Sequence, residues 1–231
     1  MIERYSISAS AQAVNDRFHV DVPGYYKPRY NAAPTQLLPV ITSESPQGIS
    51  LFYWGRPPLW ARNKSLSERI INLHVENLND RPVLKKALMK FRCIIPADGF
   101  YAWKKIGKKT SIPYRVITNQ ELFSFAALWE EFEDETGSVV HTFNIITTEA
   151  NDTLKKITER MPVILTRESE KIWLAGSSTE PELLKLLEIY PADRTSMYPV
   201  SPRINEIKND APSLLIPTPP ADQFGNLTLF D

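Results

Sequence analysis

Proline is the residue that most limits what this chain can become: there are nineteen prolines against eight glycines. Each proline fixes its φ and withdraws a backbone donor, so it interrupts helices and ladder hydrogen bonds alike. Distributed along 231 residues, they argue against a helical bundle and for many short strands joined by stiff connections. Strand-like alternation or apolar runs occur at Ile2–Ser8, Gln36–Thr42, Ile49–Trp54, Ile70–Val75, Arg92–Pro96, Phe100–Lys104, Pro113–Thr118, Leu122–Leu128, His141–Thr147 and Pro162–Leu165. Helical signals are fewer. They fall at Ser10–Phe18, Pro82–Phe91 entered through Asn79-Asp80, Asn151–Ile157, Arg167–Leu174 closed by Gly176, and Pro181–Ile189, which follows a capping box at Thr179-Glu180-Pro181-Glu182. The class predicted is α+β: a single domain on one curved, mostly antiparallel sheet, a pseudo-barrel, with peripheral helices.

Composition narrows the function classes. With 42% hydrophobic residues the chain can bury one sizeable core. Lysine plus arginine equals aspartate plus glutamate at 27 each, so no global field draws it to a polyanion and any such contact must be a local patch. A single cysteine, Cys93, excludes an intrachain disulfide and sits in an apolar strand where a buried, inert thiol is expected. No apolar run reaches the roughly 18 residues of a membrane helix, and the first residues lack a secretory pattern. A cytoplasmic protein without membrane, metal or cofactor is expected, associated with the nucleoid if it binds DNA.

The run Pro96-Ala97-Asp98-Gly99-Phe100-Tyr101-Ala102-Trp103 carries a bend at Asp98-Gly99 before an aromatic strand resumes, as the floor of a cleft would. It is one of several ordered strings. The others are Arg29-Tyr30-Asn31-Ala32-Ala33-Pro34, Tyr53-Trp54-Gly55, Asn72-Leu73-His74-Val75-Glu76, Glu159-Arg160-Met161-Pro162, and Val200-Ser201 with Asn205 and Asn209 downstream. In this order and spacing the chain resembles the SOS response-associated peptidase (SRAP) family, which senses abasic sites in single-stranded DNA. The resemblance runs from the first residues to about Asn209, giving an SRAP-like domain over 1–216 and an extended tail over 217–231.

The resemblance implies a definite chemistry. Family members expose an N-terminal cysteine whose amine and thiol condense with the ring-opened abasic aldehyde to a thiazolidine crosslink. An asparagine, a glutamate and a histidine assist by orientation and proton transfer. Here Ile2 stands at the cysteine position, Ala102 at the glutamate and Thr158 at the histidine, and only Asn72 is retained. Isoleucine has no lone pair, alanine no proton to exchange, and a threonine hydroxyl does not titrate near neutrality, so crosslinking is expected to fail. Bulky Ile2 also disfavours removal of Met1, which would place the free amine one residue, about 3.8 Å, outward.

Binding can outlast the chemistry, because phosphates are held by charge and bases by stacking. The family's DNA-facing positions correspond to Arg4, Asn31, Trp60, Thr147, Arg160 and again Asn72, with His74 where an arginine is usual. Arg56, Arg62 and Lys64 could add charge, and Lys104, Lys105, Lys108 and Lys109 flank a turn at Gly107. Each has a plainer reading: Arg4 as an ion-pair partner, Asn31 as a turn cap, Asn72 as a buried backbone ligand, Trp60 as a core plug, the lysines as a solvated turn. The expectation is a binder of single-stranded or abasic-site DNA in the damage response, without covalent capture. The alternatives are an active SRAP-type crosslinking or self-processing peptidase, a hydrolase using Asp98 or Glu76, and a protein-interaction module on an inactive scaffold.

Overall fold

The computed structural model of the chain describes residues 2–55, 71–78, 80–107, 110–133 and 137–227. In chain order the elements are β1 (Tyr5–Ile7), α1 (Ala11–Phe18), β2 (Arg29–Ala32), β3 (Leu37–Thr42), β4 (Ser50–Trp54), β5 (Asn72–His74), α2 (Val75–Leu78), α3 (Pro82–Lys90), β6 (Arg92–Ala97), β7 (Gly99–Lys105), β8 (Ser111–Thr118), β9 (Phe123–Glu133) and β10 (Val139–Glu149). Then follow β11 (Arg160–Pro162), β12 (Ile164–Leu165), α4 (Arg167–Leu174), α5 (Glu180–Lys185) and β13 (Thr195–Pro199), with short 3-10 turns between.

Hydrogen bonding sorts the strands into two sheets. One, in the order β13-β8-β7-β1-β2, is antiparallel throughout. The other runs β11-β10-β4-β3-β6-β9-β12, and β9 pairs again with β10, so that β10, β4, β3, β6 and β9 close into a five-stranded barrel. Only β10 with β4 and β10 with β5 are parallel. Closure leaves those five strands without a free edge. It also explains why β9 is buried on consecutive residues from Phe123 to Trp129 rather than alternately. The α+β, mostly antiparallel architecture stands, as two sheets in place of one. Tyr5 of β1 lies between them, its ring edge-on to Trp54 and Phe125 at 5.4 and 5.8 Å.

A single residue joins the sheets at one corner. β6 ends at Ala97 in the barrel and β7 begins at Gly99 in the second sheet, leaving Asp98 alone between them. Its carboxylate accepts from Ser6 Oγ, from the backbone N–H and Oγ of Ser8, and from Arg115 Nη2 at 2.9 Å. A Cβ on Gly99 would lie 2.7 Å from Arg115 Nε, so a residue without one is what lets the guanidinium reach. The bend foreseen at Asp98-Gly99 is there; the carboxylate serves the corner and does not face the cleft.

Caps account for most helix boundaries. Ser10 Oγ accepts from Ala13 N at 3.2 Å to open α1, and Glu182 Oε2 accepts from Thr179 N at 2.8 Å at the start of α5. The helix predicted over Asn151–Ile157 shrinks to a 3-10 turn at Leu154–Lys156. Asn151 explains this: its Oδ1 accepts from Leu154 N at 3.1 Å while its Nδ2 donates to Tyr190 O and Thr195 Oγ1. Strands β2 and β13 were not foreseen. Both are edges of the second sheet and lack the apolar runs that mark interior strands.

Buried Arg92 fastens α3 and α4 to the barrel by donating to the carbonyls of Trp173, Leu88, Met89 and Ala175 at 2.6 to 2.8 Å. From Pro217 the tail is tied down as far as the description runs. Pro217 bridges Val200, Thr218 N donates to Pro199 O at 3.0 Å, and Gln223 Oε1 accepts from Ser111 N at 2.9 Å. No described helix is long and apolar enough to cross a membrane.

Candidate nucleic-acid interface

Thr147, near the end of β10, gathers the site. On one side β10 pairs with β5, setting Thr147 opposite His74; on the other it pairs with β11, setting Glu149 opposite Arg160. Thr147 Oγ1 donates to Leu73 O at 3.0 Å and accepts from Arg160 Nε at 3.2 Å, while Arg160 Nη2 donates to Thr147 O at 2.7 Å. Two hydrogen bonds to Thr147 thus aim one guanidinium. Its outer edge meets Glu76, with Nη1 to Oε1 at 3.2 Å and Nη2 to Oε2 at 2.9 Å.

The facing wall comes from the other sheet. β7 supplies Ala102, Trp103 and Lys105, and the loop Lys155–Glu159 closes one end, enclosing a cleft of about 710 Å³ with His74, Arg160 and Glu3. Lys105, Lys155 and Lys156 are exposed at this opening and add cations to Arg160. Trp103 donates from Nε1 to Asn205 Oδ1 at 2.8 Å, which orients its ring in the wall. Burial, reinforced by the Arg160 charge, pushes the His74 pKa down, and hydrogen bonding from Arg160 holds the Glu76 carboxyl below its usual range.

Two of the three positions that the resemblance implies are substituted fall in this region. Ala102 and Thr158 both line the cleft. Thr158 folds its hydroxyl back onto Arg160 O at 3.2 Å. Ile2 is 2% exposed and belongs to the main apolar core, so its side chain is packing where a reactive group is expected in the family pattern. Asn72, at the start of β5, donates from Nδ2 to Ile2 O at 2.8 Å, and its buried Oδ1 has no hydrogen-bond partner among the described residues. Cys93 is fully buried with its thiol pKa pushed up by burial, so it supplies no nucleophile.

The DNA-facing candidates divide. Arg160 and His74 line the cleft. Thr147 is buried and positions Arg160 from behind. Arg4 is half-buried, donating from Nη1 to Glu3 O at 2.7 Å, with a buried Nε that has no partner among the described residues. Asn31 is 0% exposed, and its Nδ2 is shared among the carbonyls of Ile204, Glu206 and Asn209 at 2.9 to 3.2 Å, a tie holding a distant segment to β2. Trp60 lies outside the described residues, as do Arg56, Arg62, Lys64, Lys108 and Lys109.

Trp103, Lys155 and Lys156 were not singled out from the sequence as site residues. A lysine pair immediately before Ile157-Thr158 was the available signal, hidden by the helix expected there.

The family model described as SOS response associated peptidase (SRAP) matches residues 1–207. The chain is 39% identical over 221 residues to abasic site processing protein YoqW of Bacillus subtilis, covering 93% of this chain and 99% of that protein. Abasic site processing protein HMCES of Mus musculus is 28% identical over 238 residues, with 84% of this chain and 66% of that one covered. A solved structure of a protein from Bacteroides thetaiotaomicron superimposes with a TM-score of 0.82 at 26% identity, over 93% of this chain and 99% of that one. From its two-sheet frame to the ordered strings that line the cleft, the chain belongs to the SOS response-associated peptidase family.

Proposed function

We propose that this protein binds single-stranded DNA at abasic or otherwise damaged positions and releases it, without forming the family's covalent crosslink. The observation that carries this is the cleft itself: it is open at about 710 Å³ and rimmed by Arg160, Lys105, Lys155 and Lys156, while Ala102 and Thr158 stand in its walls. A phosphate needs cations and a base needs a flat apolar face, and Trp103 and the lysines supply both without a nucleophile. Closing a thiazolidine on an aldehyde needs a thiol beside the amine, and proton transfer. The side chains of Ile2, Ala102 and Thr158, at the three positions the resemblance implies, offer neither a thiol nor a group that titrates near neutrality.

The test pairs two gels. Incubation with an abasic-site oligonucleotide followed by denaturing electrophoresis should leave the strand unshifted, whereas native electrophoresis should show a complex that weakens as salt rises. A stable band surviving denaturation would restore the crosslinking reading. Absence of a native complex at micromolar protein would remove the binding one.

A further inference from the structure

Away from the DNA cleft, α4, α5 and the chain that follows them enclose a groove of about 800 Å³. The helical signal over Pro181–Ile189 gives out at Lys185, and from there the chain runs to β13 with only a 3-10 turn at Ala192–Arg194. That irregular stretch is nevertheless fixed. Asn151 Nδ2 donates to Tyr190 O at 2.9 Å and to Thr195 Oγ1 at 3.0 Å, Thr195 Oγ1 donates to Pro191 O at 2.9 Å, and Tyr190 Oη donates to Asn119 Oδ1 at 3.0 Å. Across the groove, Ser178 Oγ donates to Ile172 O at 2.6 Å and holds the end of α4. Both walls are set before anything binds, so little conformational freedom is lost on binding.

The lining has two characters. Buried Ile164 and half-buried Leu186 are apolar, and Ile172 on α4 faces the groove with Ile189 from the opposite wall, 42% and 43% exposed. Three exposed cations join them from three separate elements: Lys171 on α4, Lys185 on α5 and Arg194 in the 3-10 turn. None of the three side chains forms an ion pair among the described residues. Two carboxylates also line the groove. Glu182 is spent on the cap of α5, where it accepts from Thr179 N and Oγ1 at 2.8 Å each, which leaves Glu188 against the three cations.

A matching occupant brings aliphatic side chains for the apolar lining and several separated negative charges for the rim. An amphiphile with one anionic head answers only one of three cations on three elements. A nucleic-acid strand has the charges, but it binds through exposed aromatic faces on which its bases stack. The one aromatic ring among the described lining residues, Tyr190, is 3% exposed. A bilayer surface is too broad to reach a recessed residue such as Ile164. Protein segments that alternate acids with leucine or isoleucine meet both demands, since the apolar anchors supply affinity and the charges supply orientation and choice of partner.

We infer that this groove is a docking site for an acidic segment of another protein, anchored by aliphatic side chains over Ile172 and Ile189 and held at its rim by Lys171, Lys185 and Arg194. The groove shares no lining residue with the DNA cleft, so either can be lost without the other.

The experiment immobilises the full chain and offers it pools of random peptides of about ten residues. One pool is built from Asp, Glu, Leu, Ile and Ser, a second replaces the acids by Lys and Arg, and a third contains Asp, Glu and Ser alone. The first is expected to be retained above the other two, and single peptides from it to bind with dissociation constants on the order of 10–100 μM. Lys171→Glu with Lys185→Glu should weaken that binding at least about tenfold, and Ile172→Ser with Ile189→Ser at least about tenfold as well. The urea midpoint and the affinity for single-stranded DNA should stay as in the wild type. Equal retention of the pools, or unchanged peptide binding by either double variant, overturns the inference. So does loss of single-stranded DNA binding in the lysine variant, which would assign the groove to nucleic acid. Flotation of the wild type with phosphatidylglycerol vesicles, lost in the lysine variant, would assign it to a membrane surface and overturn it too.

Discussion

Glu76 and Arg160 meet at the mouth of the cleft in a two-point ion pair, so the guanidinium best placed to hold a phosphate is already held by a carboxylate. A phosphate entering the site must displace Glu76 or share the fork. Removing the negative charge while keeping the shape, as in Glu76→Gln, is expected to tighten binding of single-stranded DNA by about two- to fivefold, in keeping with the modest worth of an exposed pair. The sign with pH follows from the lowered Glu76 pKa. The pair is complete above the ordinary carboxylate value of about 4.3 and is given up only as pH falls through the depressed one. Titrating DNA affinity by fluorescence anisotropy in wild type and variant checks this, and weaker binding by the variant would contradict it.

His74 stands where the resemblance implies an arginine, and burial with the neighbouring Arg160 charge lowers its pKa from the ordinary imidazole value. The neutral imidazole is therefore favoured over the charged form. His74→Arg is expected to raise affinity and to steepen the salt dependence by about 0.7 in log K against log salt, one added phosphate contact on a single strand. In the wild type the same gain should emerge only as pH falls below the lowered His74 value. An unchanged salt slope in the variant would mean that His74 does not face the strand.

Restoring the chemistry should take all three positions. Ile2→Cys alone, with the new cysteine made N-terminal by specific cleavage, is expected to crosslink an abasic strand slowly or not at all. Addition of Ala102→Glu and Thr158→His should give an adduct stable to denaturing electrophoresis. The change at position 2 also carries a structural cost, because a fully buried isoleucine contributes about 1.5–3 kcal/mol and Ile2 is such a residue. Urea unfolding of each variant separates instability from inactivity. A fast adduct from the single change would show that Ala102 and Thr158 are irrelevant.

Asp98→Ala removes the acceptor of four hydrogen bonds and leaves Arg115 without its carboxylate, both side chains being about one-tenth exposed. A loss of about 3–5 kcal/mol is expected, as for breaking a buried pair, read as a lower urea midpoint. A change under about 1 kcal/mol would put the corner's stability elsewhere.

Asn31→Ala distinguishes a tie from a contact. It strands the carbonyls of Ile204, Glu206 and Asn209, and about 1–3 kcal/mol of stability should go with them. DNA affinity of the folded fraction should stay within a factor of about two, since the side chain has no exposed surface. Weakened binding at full folding would return Asn31 to the interface.

Strands that carry consecutive apolar residues, such as β6 and β9, were legible because barrel burial writes itself into composition. Edge strands β2 and β13 were not, since an edge is defined by its neighbour and not by its own residues. The cleft positions Ala102, Thr158 and Arg160 were legible through ordered strings, and the structure brings them to one opening. What remained hidden was who holds whom. Nothing local announces that Glu76 reaches a residue 84 positions away, or that Asn31 is turned inward by a segment 173 to 178 positions downstream. Such pairings exist only once the barrel has closed and the second sheet has folded against it.

The corner at Asp98 has a consequence for how this site can change. One wall of the cleft lies on β7, which begins at Gly99, and the other on strands of the barrel, whose β6 ends at Ala97, so the Asp98 cluster ties the two walls together from outside the opening. Small alterations around Ser6, Ser8 or Arg115 would widen or narrow the aperture while every lining side chain stayed the same. The size of ligand admitted is therefore adjustable from behind the wall, by residues that never touch it.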